Sequence, residues 1–325
     1  MAGAATWSGR TRFGRTLIIA NPAAQEGEGE RIGGQLHRFL QLYLDDDGPF
    51  DLVYTEAPGH AVELAAGAAG YDTVLSLGGD GAIHEVANGL MRLPAEERPV
   101  LGLVPAGSGN DYARTLGITD CKGKSFQWLL SCAPAPMDAG LVEGVAADGS
   151  AIHEHYVQTC SFGLDAAIAL GTVSLRETTP LRGDILYSVS GLDVFALKYQ
   201  HYPVEVRFDD REPFHLEELV FAMQIGQSYG SGFKICPKAD PSDGKLDVCY
   251  GGGAVPRVIA LGLLLAARTG AHTKSKILHF ERVDRIRLEF ARDDYPIQAD
   301  GEKILARSLD VSVAPRALQV LKPVK

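Results

Sequence analysis

Two hydrophobic periods alternate along the first third of the chain. Thr16–Ala20, Phe50–Thr55, Tyr71–Leu77 and Pro99–Val104 are short aliphatic and β-branched runs that read as buried strands. Between them, Arg31–Leu44 repeats Ile32, Leu36, Phe39, Leu40 and Tyr43 at helical spacing. His60–Ala69 reads as a second helix, and Ala82–Leu90 as a third with Ile83, Val86, Ala87 and Leu90 on one face. Strands alternating with helices predict an α/β domain with a doubly wound parallel sheet. Phe126–Ser131 reads as a further short helix, and the stretch Ala133, Pro134, Ala135, Pro136 as a hinge. Beyond it come short strand-like runs with turns between them: Met137–Glu143, His155–Phe162, Pro203–Phe208, Glu217–Ile225, Leu246–Tyr250, Arg285–Phe290 and Tyr295–Ala299. They predict a mainly β, sandwich-like second domain, interrupted by helices at Ile185–Lys198 and Pro256–Arg268. Leu309–Val313 and Ala317–Leu321 close the pattern.

Size and composition sharpen this. A chain of 325 residues, 46% hydrophobic, can bury two cores. Residues 1–15 are rich in arginine and small residues and lack an apolar stretch, so they read as a disordered tail. The longest apolar run, Val258–Ala267, is too short to span a bilayer, and a soluble cytoplasmic protein is expected. Cys121, Cys132, Cys160, Cys236 and Cys249 are odd in number and form no CxxC pair, which suits reduced thiols. A formal net charge of −10 argues against nucleic acid as a partner. It also disfavours an anionic membrane unless a local face is basic. Arg268, His272, Lys274 and Lys276, with Arg176 and Arg182, would make such an edge, or else simply cap a helix at its negative end.

Candidate chemistry gathers in two glycine loops. Gly78, Gly79, Asp80 and Gly81 follow the strand Tyr71–Leu77 and open a helix. Glycines there allow φ > 0 and a close approach of main-chain N–H groups to a ligand, and a helix start favours phosphate. Asp80 beside phosphate would be repulsive without a cation between them, which suggests a nucleotide–Mg²⁺ site. The second loop, Pro105–Asp111, follows another strand and contains Gly107, Ser108, Gly109, Asn110 and Asp111. Both loops would lie at the carboxyl ends of parallel strands, where open α/β sheets bind ligands.

These loops, with Glu85, Asn88-Gly89, Asn21-Pro22, Met137–Gly140, Ser161–Ala166, Lys234–Asp247 and Asp300–Glu302, resemble the catalytic domain of diacylglycerol and related lipid kinases, closest to the soluble bacterial branch. The resemblance runs over nearly the whole chain. It implies an ATP- and Mg²⁺-dependent kinase that phosphorylates a diacylglycerol-like lipid to phosphatidic acid, with peripheral contact at the inner face of the membrane and a possible homodimer. It also implies that residues 305–325 return to the first domain, 16–136, leaving 137–304 as the lipid-substrate domain. Sphingoid bases, phosphatidylglycerol or NAD are rival acceptors, and a non-catalytic nucleotide sensor is the rival class.

The resemblance assigns residues as follows. Asn21, Pro22, Ala23, Ala24 and Gln25 would contact the nucleotide, although the family has glycine near Gln25; Thr55 would join them. Gly78, Gly79, Asp80, Gly81, Ala82, Ile83, His84 and Glu85 form the first phosphate loop, with Ala82 and His84 standing where the family carries threonine and asparagine. Glu85 is either a nucleotide contact or a helix N-terminal charge, and His84 with Asn88 either a metal pair or structural. Ser108 and Asn110 belong to the second loop; Asn110 and Asp111 fit a helix N-cap equally well, or Asp111 holds Mg²⁺ with Asp80. Asp300 and Glu302 are candidates for general base and metal partner. Asp240, Asp243 and Lys245 would hold a second, structural Mg²⁺ or form a plain turn, with Asp247 in reserve.

Overall fold

Strands buried on both faces call for mainly apolar side chains, and three of the first four are buried almost throughout, whereas the second, at the sheet edge, is largely half-buried and carries Asp51. In the computed structural model, which describes residues 12–44, 48–118, 125–146, 148–178, 189–191, 193–194, 199–253 and 255–324, these four strands are β1 (Thr16–Ala20), β2 (Phe50–Tyr54), β3 (Thr73–Gly78) and β4 (Val100–Pro105). β1 lies between β2 and β3 and parallel to both, with Ile18 opposite Leu52 and Leu75; β4 runs parallel to β3. Helices Gly29–Tyr43, His60–Ala66 and Asp80–Met91 connect them. Leu36, Leu40, Phe50 and Leu75 share one core with Phe13, whose ring is fully buried. Packed chain therefore begins within the stretch expected as a disordered tail; residues 1–11 lie outside the described ones.

The second part is antiparallel. Its strands are β5 (Cys132–Ala146), β6 (Ala151–Tyr156), β7 (Thr159–Gly163), β8 (Tyr202–Phe208), β9 (Phe214–Gln224), β10 (Leu246–Gly252), β11 (His279–Val283), β12 (Arg285–Phe290), β13 (Ile297–Ala299), β14 (Glu302–Ile304) and β15 (Ala306–Pro323). They pair in the order β14-β13-β7-β9-β8-β12-β15, with β10 on β9 and β11, and β5 on β6 and β15. Aromatic rings fill the core, Phe162 stacking on Phe221 at 5.0 Å. Cys132, Cys160, Cys236 and Cys249 are buried and form no disulfide among the described residues.

The chain divides into two units, Met1–Met137 with Ala317–Lys325, and Asp138–Arg316. β5 runs through residues 133–136 as one extended strand, a conformation that proline's fixed φ permits. Two expectations are corrected and one element was missed. His155–Phe162 is two strands broken at Val157 and Gln158. The last two runs are one strand, kinked by a left-handed Arg316 at φ 52°, and residues 308–312 of it pair with β12 in the second unit rather than joining the first. A helix at Leu164–Thr178 was not foreseen, since its apolar run matches a strand as well as a helix. Of the helix expected at Ile185–Lys198, residues 189–191 and 193–194 are helical and the rest lies outside the described residues, as do Cys121 and Arg182.

Candidate active site

Four loops leave the carboxyl ends of β1 to β4, and the strand order β2-β1-β3-β4 reverses direction between β1 and β3. A crevice at such a reversal is where open α/β sheets take ligands. Main-chain hydrogen bonds stitch the loops together. Asn21 donates to Leu77 (2.9 Å), Thr55 to Ala20 (2.9 Å), Ala106 to Gly78 (2.7 Å) and Gln25 to Ala106 (3.1 Å). The Asn21 side chain accepts the Ala23 N–H at 2.9 Å, closing the Asx turn over Pro22. Gln25 takes φ 47°, a left-handed conformation that favours glycine, and its N–H is spent on Ala106.

The glycine loops work by proximity rather than by φ. Gly78, Gly79, Gly81, Gly107 and Gly109 all have ordinary backbone φ. A Cβ built on Gly107 would lie 2.4 Å from the Gly79 α-carbon, so the two loops touch backbone to backbone. No side chain caps the helix Asp80–Met91 at Gly79, which leaves its positive end open towards an anion. Gly81 and Ala82 form its first turn, and Ile83 donates to Gly79 as the first helical bond at 3.2 Å. Asp80 accepts the Tyr112 N–H at 3.3 Å. A Cβ on Gly109 would meet Asp80 Oδ2 at 2.6 Å and Asp111 Oδ2 at 3.5 Å, so both carboxylates flank one glycine. Asp111 is buried and ion-paired to Arg114 at 2.8 Å. Asn110 stands at the N-cap of the helix Asp111–Thr115 but caps no helical N–H with its side chain, which instead exchanges two hydrogen bonds with Gly107 (2.9 and 2.8 Å) and closes the second loop into a ring with exposed Ser108 on it.

Two residues of the helix Asp80–Met91 bond to groups of the protein itself. Glu85 accepts the N–H groups of Gly59 (3.0 Å) and Ala61 (3.2 Å), capping the neighbouring helix His60–Ala66 instead of its own. His84 is buried, with Nε2 3.3 Å from the Asn88 amide, so that pair bonds to itself.

Asp300, Glu302 and the loop Asp240–Lys245 belong to the second unit. Asp300 (φ 48°) and Gly301 (φ 99°) make the two-residue hairpin turn between β13 and β14 that Asp-Gly favours. The Asp300 carboxylate accepts three amides, from Val157 (2.7 Å), Gln158 (3.0 Å) and Thr159 (2.9 Å). Glu302 is exposed and makes no hydrogen bond or ion pair among the described residues. In the acidic loop, Asp240 accepts from the Ser242 N–H (3.1 Å) and hydroxyl (2.6 Å), Asp243 faces the Arg282 guanidinium, and the Lys245 ammonium meets Asp284 at 2.6 Å. Buried Asp138 anchors the loop by accepting the Gly244 and Arg316 N–H groups, each at 2.7 Å. The Asp240 carboxylate and the Lys245 ammonium thus close the turn and an ion pair, while Asp243 lies against Arg282. Burial lifts the Asp247 carboxyl to about 6, against the pull of Arg282.

Sequence reasoning gave Asp165 no role. It sits in the apolar run Ser161–Ala166, and that single acid among apolar residues was the available signal. Its carboxylate is buried, accepts the Tyr229 hydroxyl and leaves Oδ1 without a hydrogen-bond partner; burial raises its carboxyl to about 6. It lines a small, partly open pocket within the second unit. The other walls are apolar, among them Ile168, Leu219, Ala260, Leu264 and Leu278.

Two family models match the chain: the diacylglycerol kinase catalytic domain over residues 15–142, and the YegS C-terminal NAD kinase beta sandwich-like domain over residues 158–322. A protein of Pseudomonas aeruginosa named "Probable lipid kinase YegS-like" is 30% identical over 258 residues, 79% of this chain and 78% of its own. A diacylglycerol kinase of Mycobacterium tuberculosis is 26% identical over 317 residues, 97% of each chain. A crystal structure of a Bacillus anthracis diacylglycerol kinase superposes with a TM-score of 0.72 at 21% identity, covering 96% of this chain and 98% of that one. An α/β unit with paired glycine loops and an antiparallel β unit are thus the halves of a kinase architecture. The chain belongs to the bacterial diacylglycerol kinase and YegS-like lipid kinase family.

Proposed function

We propose that the protein transfers the γ-phosphoryl group of ATP to a hydroxyl of a diacylglycerol-like lipid, yielding ADP and phosphatidic acid. The apolar pocket behind Asp165 carries the choice of a lipid. Its aliphatic walls match acyl chains by burial of apolar surface and offer little to a dinucleotide. The loops after β1, β3 and β4, with the open helix end at Gly79, would take the nucleotide phosphates.

Mg²⁺ typically binds through one or two carboxylates plus phosphate oxygens, and Asp80 with Asp111, flanking Gly109, fits that donor set. When bound, the ion would neutralise charge on the phosphates. Glu302 is the residue assigned to take the hydroxyl proton as the new P–O bond forms, because Asp300 is occupied by three amides. In-line transfer breaks the bond between the γ-phosphorus and the β–γ bridging oxygen, and ADP departs.

The test is an acceptor panel in mixed micelles: diacylglycerol, sphingosine, phosphatidylglycerol and, separately, NAD. Labelled phosphate should appear on diacylglycerol and disappear in Asp80→Asn. Label on none of the lipids, or ATP-dependent thermal stabilisation without turnover, would replace this reading with that of a nucleotide sensor.

A further inference from the structure

The helix Arg257–Ala267 carries no polar side chain between Arg257 and Arg268, yet it is not a core helix. Ala260 and Ala267 face inward, and with Leu263 and Leu264 they wall the apolar pocket. Val258 is 82% exposed and Leu265 60% exposed, and Leu261 between them is exposed on the same face. A helix apolar all round is normally buried on all sides or in lipid, and among the described residues this one has protein on only one side.

The charge around it is equally unusual. From Val248 to Phe280 there is no Asp or Glu, while Arg257, Arg268, Lys274 and Lys276 are present, in a chain of net charge −10. All four cationic residues are exposed. Arg257 lies over the Tyr199 ring at 5.4 Å and Arg268 over the Phe233 ring at 5.1 Å, contacts that hold both guanidinium groups beside the helix while the residues stay exposed. His272 is not part of this surface: it is buried, and its Nε2 bonds the Ile235 carbonyl at 2.9 Å.

We infer that the outer face of this helix, Val258, Leu261 and Leu265 within a rim of Arg257, Arg268, Lys274 and Lys276, docks on an anionic lipid bilayer. Apolar side chains enter the headgroup–acyl boundary while the cations attract anionic headgroups. A second copy of this chain is the poorer occupant, because a two-fold interface sets the same patch against itself and would oppose four cations to four cations. The inference holds whichever hydroxyl is phosphorylated. The opposite face of the helix walls the pocket, so docking would also bring that wall to the membrane.

The full-length chain is to be sedimented with phosphatidylcholine vesicles, with and without phosphatidylglycerol. Binding should require the anionic lipid and weaken as salt rises. It should fall more than about tenfold in K274E/K276E and likewise in V258S/L265S. Both variants should keep wild-type turnover on a water-soluble short-chain diacylglycerol, which reports intact folding. Wild-type protein left in the supernatant, or variants that bind as wild type does, would overturn the inference. So would a light-scattering dimer that V258S/L265S converts to monomer. Vesicle binding without turnover on any lipid would sink the kinase reading and leave the docking face standing.

Discussion

Asp300 and Glu302 are two residues apart in an acidic turn, and their surroundings separate them. Asp300 spends its oxygens on the amides of Val157, Gln158 and Thr159, while Glu302 is exposed. Glu302→Gln should lower kcat by about 10²- to 10⁴-fold with an unchanged urea midpoint. Asp300→Asn offers one acceptor oxygen in place of two and should cost about 1–3 kcal/mol in the same denaturation. Asp165 gives a pH signature. Burial raises its carboxyl from 3.8 to about 6, so between those values the folded protein holds a proton that the unfolded chain has released. Its contribution to stability is therefore full below about pH 4 and is lost as pH rises through 6. Asp165→Asn should be more stable than wild type by about 1–3 kcal/mol at pH 8, and the gap should close towards pH 4 in urea titrations. The positions of these acids are visible in the sequence. Their division of labour is not, because it is set by amides and apolar walls from segments up to 143 residues away.

At the level of elements, the strands and the two loops were legible because burial on both faces demands continuous apolar runs. Of the two reasons for the glycines, positive φ and close approach of the main chain, only the second applies. The structure uses the absent side chain: Gly79 and Gly107 occupy space that a Cβ would fill. Gly107→Ala should force β3 and β4 loops apart, raising KM for ATP and lowering Tm, both measurable by kinetics and thermal melts. Unchanged values would mean that the loops part without cost. Asn110 and Glu85 show the same limit. Both residue types suit caps, but Asn110 closes its own loop and Glu85 caps another helix. Local sequence cannot say which N–H a side chain will reach.

For the whole molecule, the final strand matters most. β15 pairs with β12 through residues 308–312, passes the kink at Arg316, and then sets Val320 beside Leu101 in the parallel sheet. Leu321 lies fully within the first core, and the Arg98 guanidinium bonds the Ala317 carbonyl at 2.9 Å. A chain ending at Arg316 should lose the cooperative transition of the first unit and its ATP-induced thermal shift, while the antiparallel unit keeps a melting transition of its own. A single wild-type-like transition in that variant would show the last strand to be dispensable.

Hydrophobic period determined by itself the α/β-then-β order and the place of the two glycine loops at strand ends, and the motifs carried the resemblance to the lipid kinases, because these follow from contacts near in sequence and from residue chemistry. Tertiary structure alone decided which carboxylates are already engaged, that Asp165 sits at an apolar pocket, and that the helix after Pro256 shows an apolar face to the outside. Each of those depends on which distant segments remove water from a side chain, and no local pattern encodes that.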